Sequence, residues 1–193
     1  MYLRFGKRVC DLVVSIVALP FVLIIIAVLA PIIHFEDKGP VFYNAPRVGK
    51  DGRDFKMYKL RSMRVNAPDL VMEDGSTYNG ADDPRMTKIG AFMRRTSLDE
   101  IPQFLNVLKG DMSIVGPRPP LPREVEQYDA YTFQRLYVTP GLSCYWQIQP
   151  HRNELSFEEW VDLDIKYIQE RSFITDWKII FRTVAVMLTR QGE

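Results

Sequence analysis

The sequence predicts a mainly helical α+β protein that has an N-terminal membrane helix and a short β-hairpin. Residues 12–33 carry no charged side chain across 22 positions. As an α-helix this stretch would be about 33 Å long, close to the hydrocarbon thickness of a bilayer. The Lys50-Asp51-Gly52 triplet, which lies between two short strand-like runs, is typical of a tight hairpin turn. Apolar residues at helical spacing then dominate the rest of the chain.

Composition excludes several classes of protein. The chain of 193 residues is long enough to bury a core. Its 25 Lys+Arg against 24 Asp+Glu give a net charge of +1, so we expect no nucleic-acid partner. Two histidines and two cysteines, without a CxxC pair, argue against a histidine-rich zinc site and a disulfide framework. The chemistry must therefore come from carboxylates, arginines and lysines, with or without a bound cation.

The apolar segment has two possible arrangements in a membrane. It is longer than the core of a signal peptide, and no small-residue cleavage pattern follows it. Arg4, Lys7 and Arg8 precede it, which predicts a cytosolic N-terminus. Pro20, near its middle, removes one backbone donor and predicts a kink. Either the chain crosses once, which general tolerance of proline in spans favours, or it turns at Pro20 and returns to the same face.

The remaining elements follow from local signals in the sequence. Between the hairpin and residue 150 we expect a loop at 73–84, helices at about 86–95, 99–108 and 122–136, a proline-rich break at 116–122 and a strand at 142–149. Ser156 and Glu159 form a capping-box pattern that opens a helix to about residue 171. A last helix over 176–190 mixes apolar and basic residues, so it lies in the membrane interface or packs on the core.

The Asp99-Glu100 pair is the first candidate site. Proline is tolerated only in the first turn of a helix, so Pro102 places the N-cap at Asp99 rather than at Ser97. Both carboxylates would then lie at a helix N-terminus, where free N–H groups lower a carboxylate's pKa and bind phosphate. Arg94 adds positive charge nearby. The ordinary alternative is that Asp99 does no more than cap the helix.

Two further groups of basic residues are candidates for phosphate binding. Arg118 lies between Pro117 and Pro119, which stiffen the loop and favour bidentate contact with a phosphate. The alternative is a solvated arginine on a surface turn. Lys59 and Arg61 follow the hairpin, although a lysine there can also protect an edge strand.

Six motifs, in order along the chain, resemble those of the small monotopic phosphoglycosyl transferases, a family of bacterial sugar transferases. They are KRVCD at 7–11, GPVF at 39–42, RVG at 47–49, KLRSM at 59–63, SLDEIPQ at 97–103 and NVLKGDMSIVGPRP at 106–119. The resemblance covers almost the whole chain, and the last motif is the most specific.

This resemblance implies an activity. Such enzymes move a sugar 1-phosphate from a UDP-sugar to a polyprenol phosphate such as undecaprenyl phosphate, release UMP and begin surface glycan assembly. It implies that Asp99 is the nucleophile, which forms a covalent phospho-sugar intermediate, and that Glu100 holds Mg²⁺. The implied substrate- and phosphate-binding residues are Arg94, Arg118, Lys59, Arg61, Pro117 and Pro119. Direct transfer in a ternary complex, and a membrane-bound regulator that binds sugar nucleotides without turnover, are the alternatives.

The resemblance also implies a location and a division of the chain. Residues 1–35 would form a re-entrant helix, broken near Pro20, on the cytosolic face of the plasma membrane, with Lys7, Arg8 and Asp11 as membrane-site residues. Residues 36–193 would form a cytosolic-facing catalytic domain that ends in an interfacial helix. The sequence does not identify the sugar, the polyprenol length, the downstream glycan or the oligomeric state. It also assigns no role to Tyr145, Trp146 and His151.

Overall fold

The computed structural model describes residues 2–68, 70, 78, 83–149 and 155–189. Within these ranges the protein is mainly helical and has two small two-stranded sheets, which confirms the predicted class at this level. The helices are α1 (Lys7–Asp37), α2 (Lys88–Arg95), α3 (Gln103–Lys109), α4 (Pro122–Val125), α5 (Ala130–Phe133), α6 (Phe157–Glu170) and α7 (Phe173–Thr189). The strands are β1 (Ala45–Val48), β2 (Asp54–Met57), β3 (Ser113–Val115) and β4 (Gly141–Ser143).

Helix α1 contains the whole apolar segment. Together with the short helical turn before it, α1 is long and apolar enough to cross a membrane, with a mean hydropathy of 3.2 over its most apolar part. Its helical backbone continues through Pro20 without a non-helical residue. The expected break near Pro20 is therefore not an interruption of the helix, and proline is tolerated within apolar membrane helices. The return of the chain to the cytosolic face stays a prediction.

The described residues fall into two compact units. The first unit takes its residues from 1–20, 45–57 and 103–193, and the second from 21–44 and 58–102. The core of the first unit joins the hairpin, β3 and the two long C-terminal helices: Ala45, Met57, Val107, Met112, Ile114, Val115, Ile148, Tyr167 and Ile179. The core of the second unit is Leu29, Ile33, Leu60 and Met93.

Two pairs of strands organise the first unit. Strands β1 and β2 pair antiparallel, with Ala45 opposite Met57, which confirms the predicted hairpin. Strands β3 and β4 pair parallel, with Ser113 opposite Gly141. Neither β3 nor this pairing was predicted, because a strand of three residues is too short to show the alternation that identifies a strand. Strand β4 overlaps the strand expected over 142–149.

The β3–β4 pair brings two glycines into backbone contact. A Cβ atom added to Gly141 would lie 2.0 Å from the backbone nitrogen of Gly116. We expect Gly141→Ala to lower the free energy of unfolding by about 3 kcal/mol or more, since overpacking against backbone has no flexible side chain to absorb it. Thermal unfolding in detergent measures this. The control is Gly52→Ala, because an added Cβ there meets open space. Its positive φ should lower the free energy of unfolding by at most about 1 kcal/mol. Equal losses in the two variants would contradict the packing argument.

In the second unit, the end of α1 caps the start of α2. The Glu36 carboxylate accepts hydrogen bonds from the backbone nitrogens of Lys88 and Ile89, at 2.7 and 3.3 Å. The Thr87 hydroxyl accepts another from Gly90 N at 3.0 Å. These bonds satisfy N–H groups that a helix leaves unpaired at its start. They fix α2 to the helix that precedes it and thereby place Arg94, in the last turn of α2.

Two of the predicted helices are wrong in extent. Helix α3 begins only at Gln103, and a short 3₁₀ turn, Leu98–Glu100, precedes it. A hydrogen bond from Ile101 N to the Leu98 carbonyl oxygen closes this turn. The helix expected over 122–136 is interrupted after α4. The Asp129 side chain accepts a hydrogen bond from Thr132 N at 2.7 Å, and this N-cap starts α5 as a separate helix.

The C-terminal elements follow the predictions more closely. The strand expected over 142–149 ends at Ser143, and Trp146–Ile148 forms a 3₁₀ turn instead. Helix α6 has the predicted capping box of Ser156 and Glu159, which is confirmed. Helix α7 begins three residues earlier than expected. Most of the predicted loop at 73–84, His151 and Arg190 lie outside the described residues.

Candidate active site

Asp99 and Glu100 lie in the 3₁₀ turn Leu98–Glu100 of the second unit. Ser97, just before the turn, has a left-handed backbone with φ of 55°. The Leu60 N–H donates to the Asp99 carbonyl oxygen at 2.9 Å, which holds the turn beside the segment that carries Lys59. The prediction that Asp99 caps an α-helix is therefore wrong. A backbone hydrogen bond and a lysine, rather than an α-helix N-terminus, set the surroundings of this carboxylate.

Lys59 forms an ion pair with both carboxylates. Its Nζ lies 3.0 Å from Asp99 Oδ2 and 3.2 Å from Glu100 Oε1. The Asp99 side chain is 3% exposed, whereas that of Glu100 is 35% exposed. Asp99 Oδ2 is buried and accepts no well-directed hydrogen bond. Since well-directed donors do not occupy its lone pairs, this oxygen can form a new bond with less loss of existing hydrogen bonding.

The charges around Asp99 act in opposite directions. Burial raises the pKa of the Asp99 carboxyl, and the positive charge of Lys59 opposes that rise. The neighbouring charge of Glu100 raises the pKa further, and the charge of Arg94 lowers it. Burial lowers the pKa of Lys59, but the two carboxylates outweigh it, so the net shift of this pKa is upward. Lys59 thus stays protonated and favours the ionised form of Asp99.

Arg94 is held by two polar partners in the same unit. Its Nε donates to the Ser62 hydroxyl at 3.3 Å, and its Nη1 lies 3.7 Å from Asp83 Oδ2. Asp83 is fully buried and also binds Arg85, through contacts of 2.7 and 2.9 Å. Asp83 was not predicted as an orienting residue. Its partners Arg85 and Arg94 lie close in sequence. The sequence pattern does not show, however, which of the two arginines faces the Asp83 carboxylate.

Arg61 is a predicted phosphate-binding residue whose donors are already engaged. Its Nη1 and Nη2 each donate to the Asp37 carboxylate at 2.6 Å. The same guanidinium donates to the carbonyl oxygens of Pro40, Met63 and Ile33. These bonds attach the segment after the hairpin to the end of α1. Contact between Arg61 and a phosphate stays a prediction, although the structure gives this side chain a structural use.

Arg118 lies in the first unit, on the loop between β3 and α4. Its neighbours both accept hydrogen bonds through their carbonyl groups. Pro117 O accepts from Gly141 N at 2.8 Å, and Pro119 O accepts from Arg47 Nη1 at 3.3 Å. The loop is therefore tied down on both sides of Arg118, as its proline content predicted.

Lys7, Arg8 and Asp11 attach the start of α1 to the first unit. Lys7 Nζ donates to the Val115 carbonyl oxygen at 2.8 Å and forms an ion pair with Asp176 at 2.6 Å. Arg8 donates to two carbonyl oxygens in the last turn of α3, at 2.6 and 2.9 Å. Asp11 accepts two hydrogen bonds from the start of β3. These three residues therefore join the start of α1 to the rest of the first unit. Their contact with the membrane stays a prediction.

The Asp99–Glu100 pair has the right chemistry for a magnesium ion. Groups of three or more His, Cys, Asp or Glu that could hold a metal are absent from the part of the chain that is described. Mg²⁺, however, is commonly bound by only one or two carboxylates together with substrate phosphates and water. Two adjacent carboxylates, one partly exposed and one with an unsatisfied buried oxygen, fit that pattern.

Comparison with known proteins gives a consistent result. The model of the bacterial sugar transferase family matches residues 2–190. The chain is 45% identical over 194 residues to galactosyl transferase CpsE of Streptococcus agalactiae, covering 97% of this chain and 43% of that protein. It is 39% identical over 204 residues to exopolysaccharide production protein ExoY of Rhizobium meliloti, covering 97% of this chain and 88% of that protein.

A third relative is the UDP-glucose:undecaprenyl-phosphate glucose-1-phosphate transferase of Escherichia coli. It is 40% identical over 189 residues, which cover 94% of this chain and 40% of that protein. The chain therefore spans less than half the length of two of these relatives, and most of the length of the third.

Proposed function

The chain belongs to the bacterial sugar transferase family, as its motifs predicted, and from this premise we propose that it transfers a sugar 1-phosphate from a UDP-sugar to undecaprenyl phosphate. The second product is UMP. The observation that carries the proposal is the buried Asp99 carboxylate, whose Oδ2 lies 3.0 Å from Lys59 and has no well-directed hydrogen bond. The Escherichia coli relative is named for this reaction with UDP-glucose.

In the proposed first step, an Asp99 oxygen attacks the phosphorus that carries the sugar. A new bond forms between this oxygen and phosphorus, and the bond to the bridging oxygen breaks, so that UMP leaves with that oxygen. In the second step an oxygen of undecaprenyl phosphate attacks the same phosphorus. The bond to Asp99 breaks, the carboxylate is regenerated, and the product is undecaprenyl diphosphate-sugar.

The other residues have electrostatic roles in this proposal. Lys59 keeps Asp99 ionised and oriented, since its ammonium lies beside Oδ2. Arg94 and Arg118 bind phosphate oxygens, for which a guanidinium is well suited. Glu100 would hold Mg²⁺, which when bound neutralises charge on the diphosphate.

We also propose that α1 is a re-entrant helix on the cytosolic face of the plasma membrane. The support is chemical: a soluble UDP-sugar comes from the cytosol, whereas the acceptor phosphate lies at the membrane interface. Helix α1 exposes many apolar side chains, as a helix in contact with lipid does: Val9, Val13, Ile16, Val17, Phe21, Leu23, Ile24, Val28 and Ile32. Both ends of α1 would then lie on the cytosolic side, which requires the helix to bend in the membrane at Pro20, where the missing backbone donor favours a kink.

Labelling of an introduced cysteine tests this topology. Phe35, near the end of α1, is 77% exposed, so Phe35→Cys in a Cys10→Ser background offers a reactive thiol. We expect an impermeant maleimide to label residue 35 only after the cells are opened. The control variant Asp54→Cys should show the same dependence on opening the cells. Labelling of residue 35 in intact cells would mean that the chain crosses the membrane once.

Nucleotide release tests the proposed reaction. The protein in detergent is incubated with Mg²⁺, undecaprenyl phosphate and a panel of UDP-sugars. We expect release of UMP from at least one donor, dependent on the lipid for sustained turnover. Release of UDP would mean ordinary glycosyl transfer, and absence of release from every donor that binds would favour a regulator without turnover.

A further inference from the structure

A buried ion pair in the first unit borders the loop that carries Arg118. We propose that Arg135 and Asp164 are positioning residues that hold Arg118 in place to bind a phosphate group of the donor. This inference rests on the proposed function, in which Arg118 is a phosphate ligand. Neither residue belongs to the motifs from which the family was predicted, and the two lie 29 positions apart in the sequence.

The geometry of the pair leaves little freedom to either side chain. Arg135 donates from Nε to Asp164 Oδ2 at 2.9 Å, and its Nη2 lies 2.8 Å from the same oxygen. Its Nη1 donates to the Tyr128 hydroxyl at 2.7 Å. The side chains of Arg135 and Asp164 are 4% and 0% exposed. A buried ion pair seldom contributes more stability than apolar residues of the same size. Stability alone therefore does not account for this pair, and its contacts indicate that it fixes the conformation of a neighbouring segment.

The ion pair lies beside the backbone of Arg118. Arg135 Nη2 donates to the Arg118 carbonyl oxygen at 3.4 Å. The Arg118 N–H also helps to lower the pKa of the Asp164 carboxyl, whose Oδ1 accepts no well-directed hydrogen bond. Pro117 and Pro119 have no N–H of their own to donate. Arg135 thus supplies, for the Arg118 carbonyl oxygen, the partner that a neighbouring strand would supply elsewhere.

The guanidinium of Arg118 is also supported. Its Cζ lies 5.7 Å from the ring centre of Trp146, within the range of a cation–π interaction. Trp146 in turn stacks on Trp160, with ring centres 4.8 Å apart and planes inclined by 21°. Backbone and side chain of Arg118 are therefore both held before any ligand arrives. Such preorganisation lowers the entropy that binding a phosphate costs.

The charge of Asp164 matters as well as its shape. Burial raises the pKa of Asp164 to about 6, against the opposing charges of Arg135 and Arg118. At pH 8 the carboxylate is ionised and balances the buried guanidinium of Arg135. Without it, an uncompensated positive charge would lie next to Arg118, and the loop would be expected to move.

Binding of UDP with Mg²⁺ at pH 8, measured by calorimetry in detergent, tests the inference. We expect Arg135→Lys, which keeps the charge but lacks the planar fork, to weaken binding about tenfold. Asp164→Asn is expected to weaken it similarly. Asp162→Asn, two positions away on the same helix and bonded only to the exposed Tyr131 hydroxyl in the described contacts, is the matched control and should bind as the wild type does.

A double variant separates positioning from general damage. In an Arg118→Ala background, Arg135→Lys should weaken UDP binding hardly further, because the pair acts only through Arg118. An undiminished loss in that background, or wild-type affinity in Arg135→Lys itself, would overturn the inference. If Arg135→Lys fails to fold, Tyr128→Phe removes one hydrogen bond from Arg135 without a change of charge, and a loss of two- to threefold is expected.

The same measurements distinguish this inference from the proposed function. If the wild type binds UDP but releases no UMP from any donor, the proposed reaction fails while the coupling of Arg135 to Arg118 can still hold. If the wild type does not bind UDP, both fail. If UMP is released normally and the double variant shows additive losses, the positioning role alone is wrong.

Discussion

Replacement of Asp99 with asparagine is expected to reduce UMP release by at least about 10³-fold, because an amide oxygen is a far weaker nucleophile than a carboxylate. Asparagine has nearly the same volume and keeps an oxygen that Lys59 can contact, so the turn Leu98–Glu100 should persist. The affinity for the UDP-sugar should change little. The measurements are the initial rate of UMP release and calorimetric binding of the donor identified in the panel.

The control for this variant is Asp54→Asn, which removes an exposed carboxylate from β2. It should retain the wild-type rate and melting temperature. Substantial turnover by Asp99→Asn would contradict the assignment of the nucleophile. Loss of donor binding together with loss of turnover would instead mean that Asp99 contributes to binding or to the fold.

Replacement of Lys59 with methionine is expected to lower kcat about 100-fold at neutral pH, since one preorganised charge beside the reacting oxygen is lost. The pH profile should change as well. The pKa of Asp99 is raised mainly by burial, and the charge of Lys59 lowers it. Removal of that charge raises the pKa further, so a larger fraction of Asp99 is protonated at each acidic pH. The acid limb of the rate profile therefore moves to higher pH.

Two variants make this result specific. Lys59→Arg keeps the charge and should restore the position of the acid limb, although the broader guanidinium restores only part of the rate. Lys56→Met makes the same substitution at an exposed lysine of β2. It should leave both kcat and the position of the acid limb unchanged. An acid limb that stays in place in Lys59→Met would contradict the electrostatic role.

Local signals explain which parts of the fold could be predicted. The apolar segment, the Asp-Gly turn and the capping box at Ser156 each depend on residues close together in sequence, and α1, the hairpin and α6 followed from them. The β3–β4 pair depends on contact between segments 28 residues apart, at Ser113 and Gly141. Strand β3, with only three residues, is too short to be recognised singly.

The same distinction applies to the candidate site. Asp99 and Glu100 were correctly expected to lie near positive charge, but the reason given was wrong. An α-helix does not begin at Asp99, because residues Leu98–Glu100 form a 3₁₀ turn and α3 starts at Gln103. The charge of Arg94 acts on Asp99 as expected, but the main charge comes from Lys59, which is 40 residues away and is brought close by a backbone hydrogen bond. Sequence spacing alone does not show such a contact.

The orienting carboxylates were missed for a related reason. Asp83 and Asp164 lie in no motif, and each is fully buried beside arginines. From the sequence, a carboxylate that orients an arginine resembles any helix or loop carboxylate. Burial distinguishes them, because a buried carboxylate needs a charged partner, and burial is known only once the fold is known.

In the proposed mechanism, Asp99 carries the phospho-sugar between donor and acceptor. The most direct measurement is mass spectrometry of the acid-quenched protein after exposure to its UDP-sugar and Mg²⁺ without undecaprenyl phosphate. We expect that up to one phospho-sugar is added per chain, located on the peptide that contains Asp99, with an equal amount of UMP released. Addition of the lipid should then remove the adduct. An unmodified protein that releases UMP only when the lipid is present would contradict the covalent mechanism and favour direct transfer.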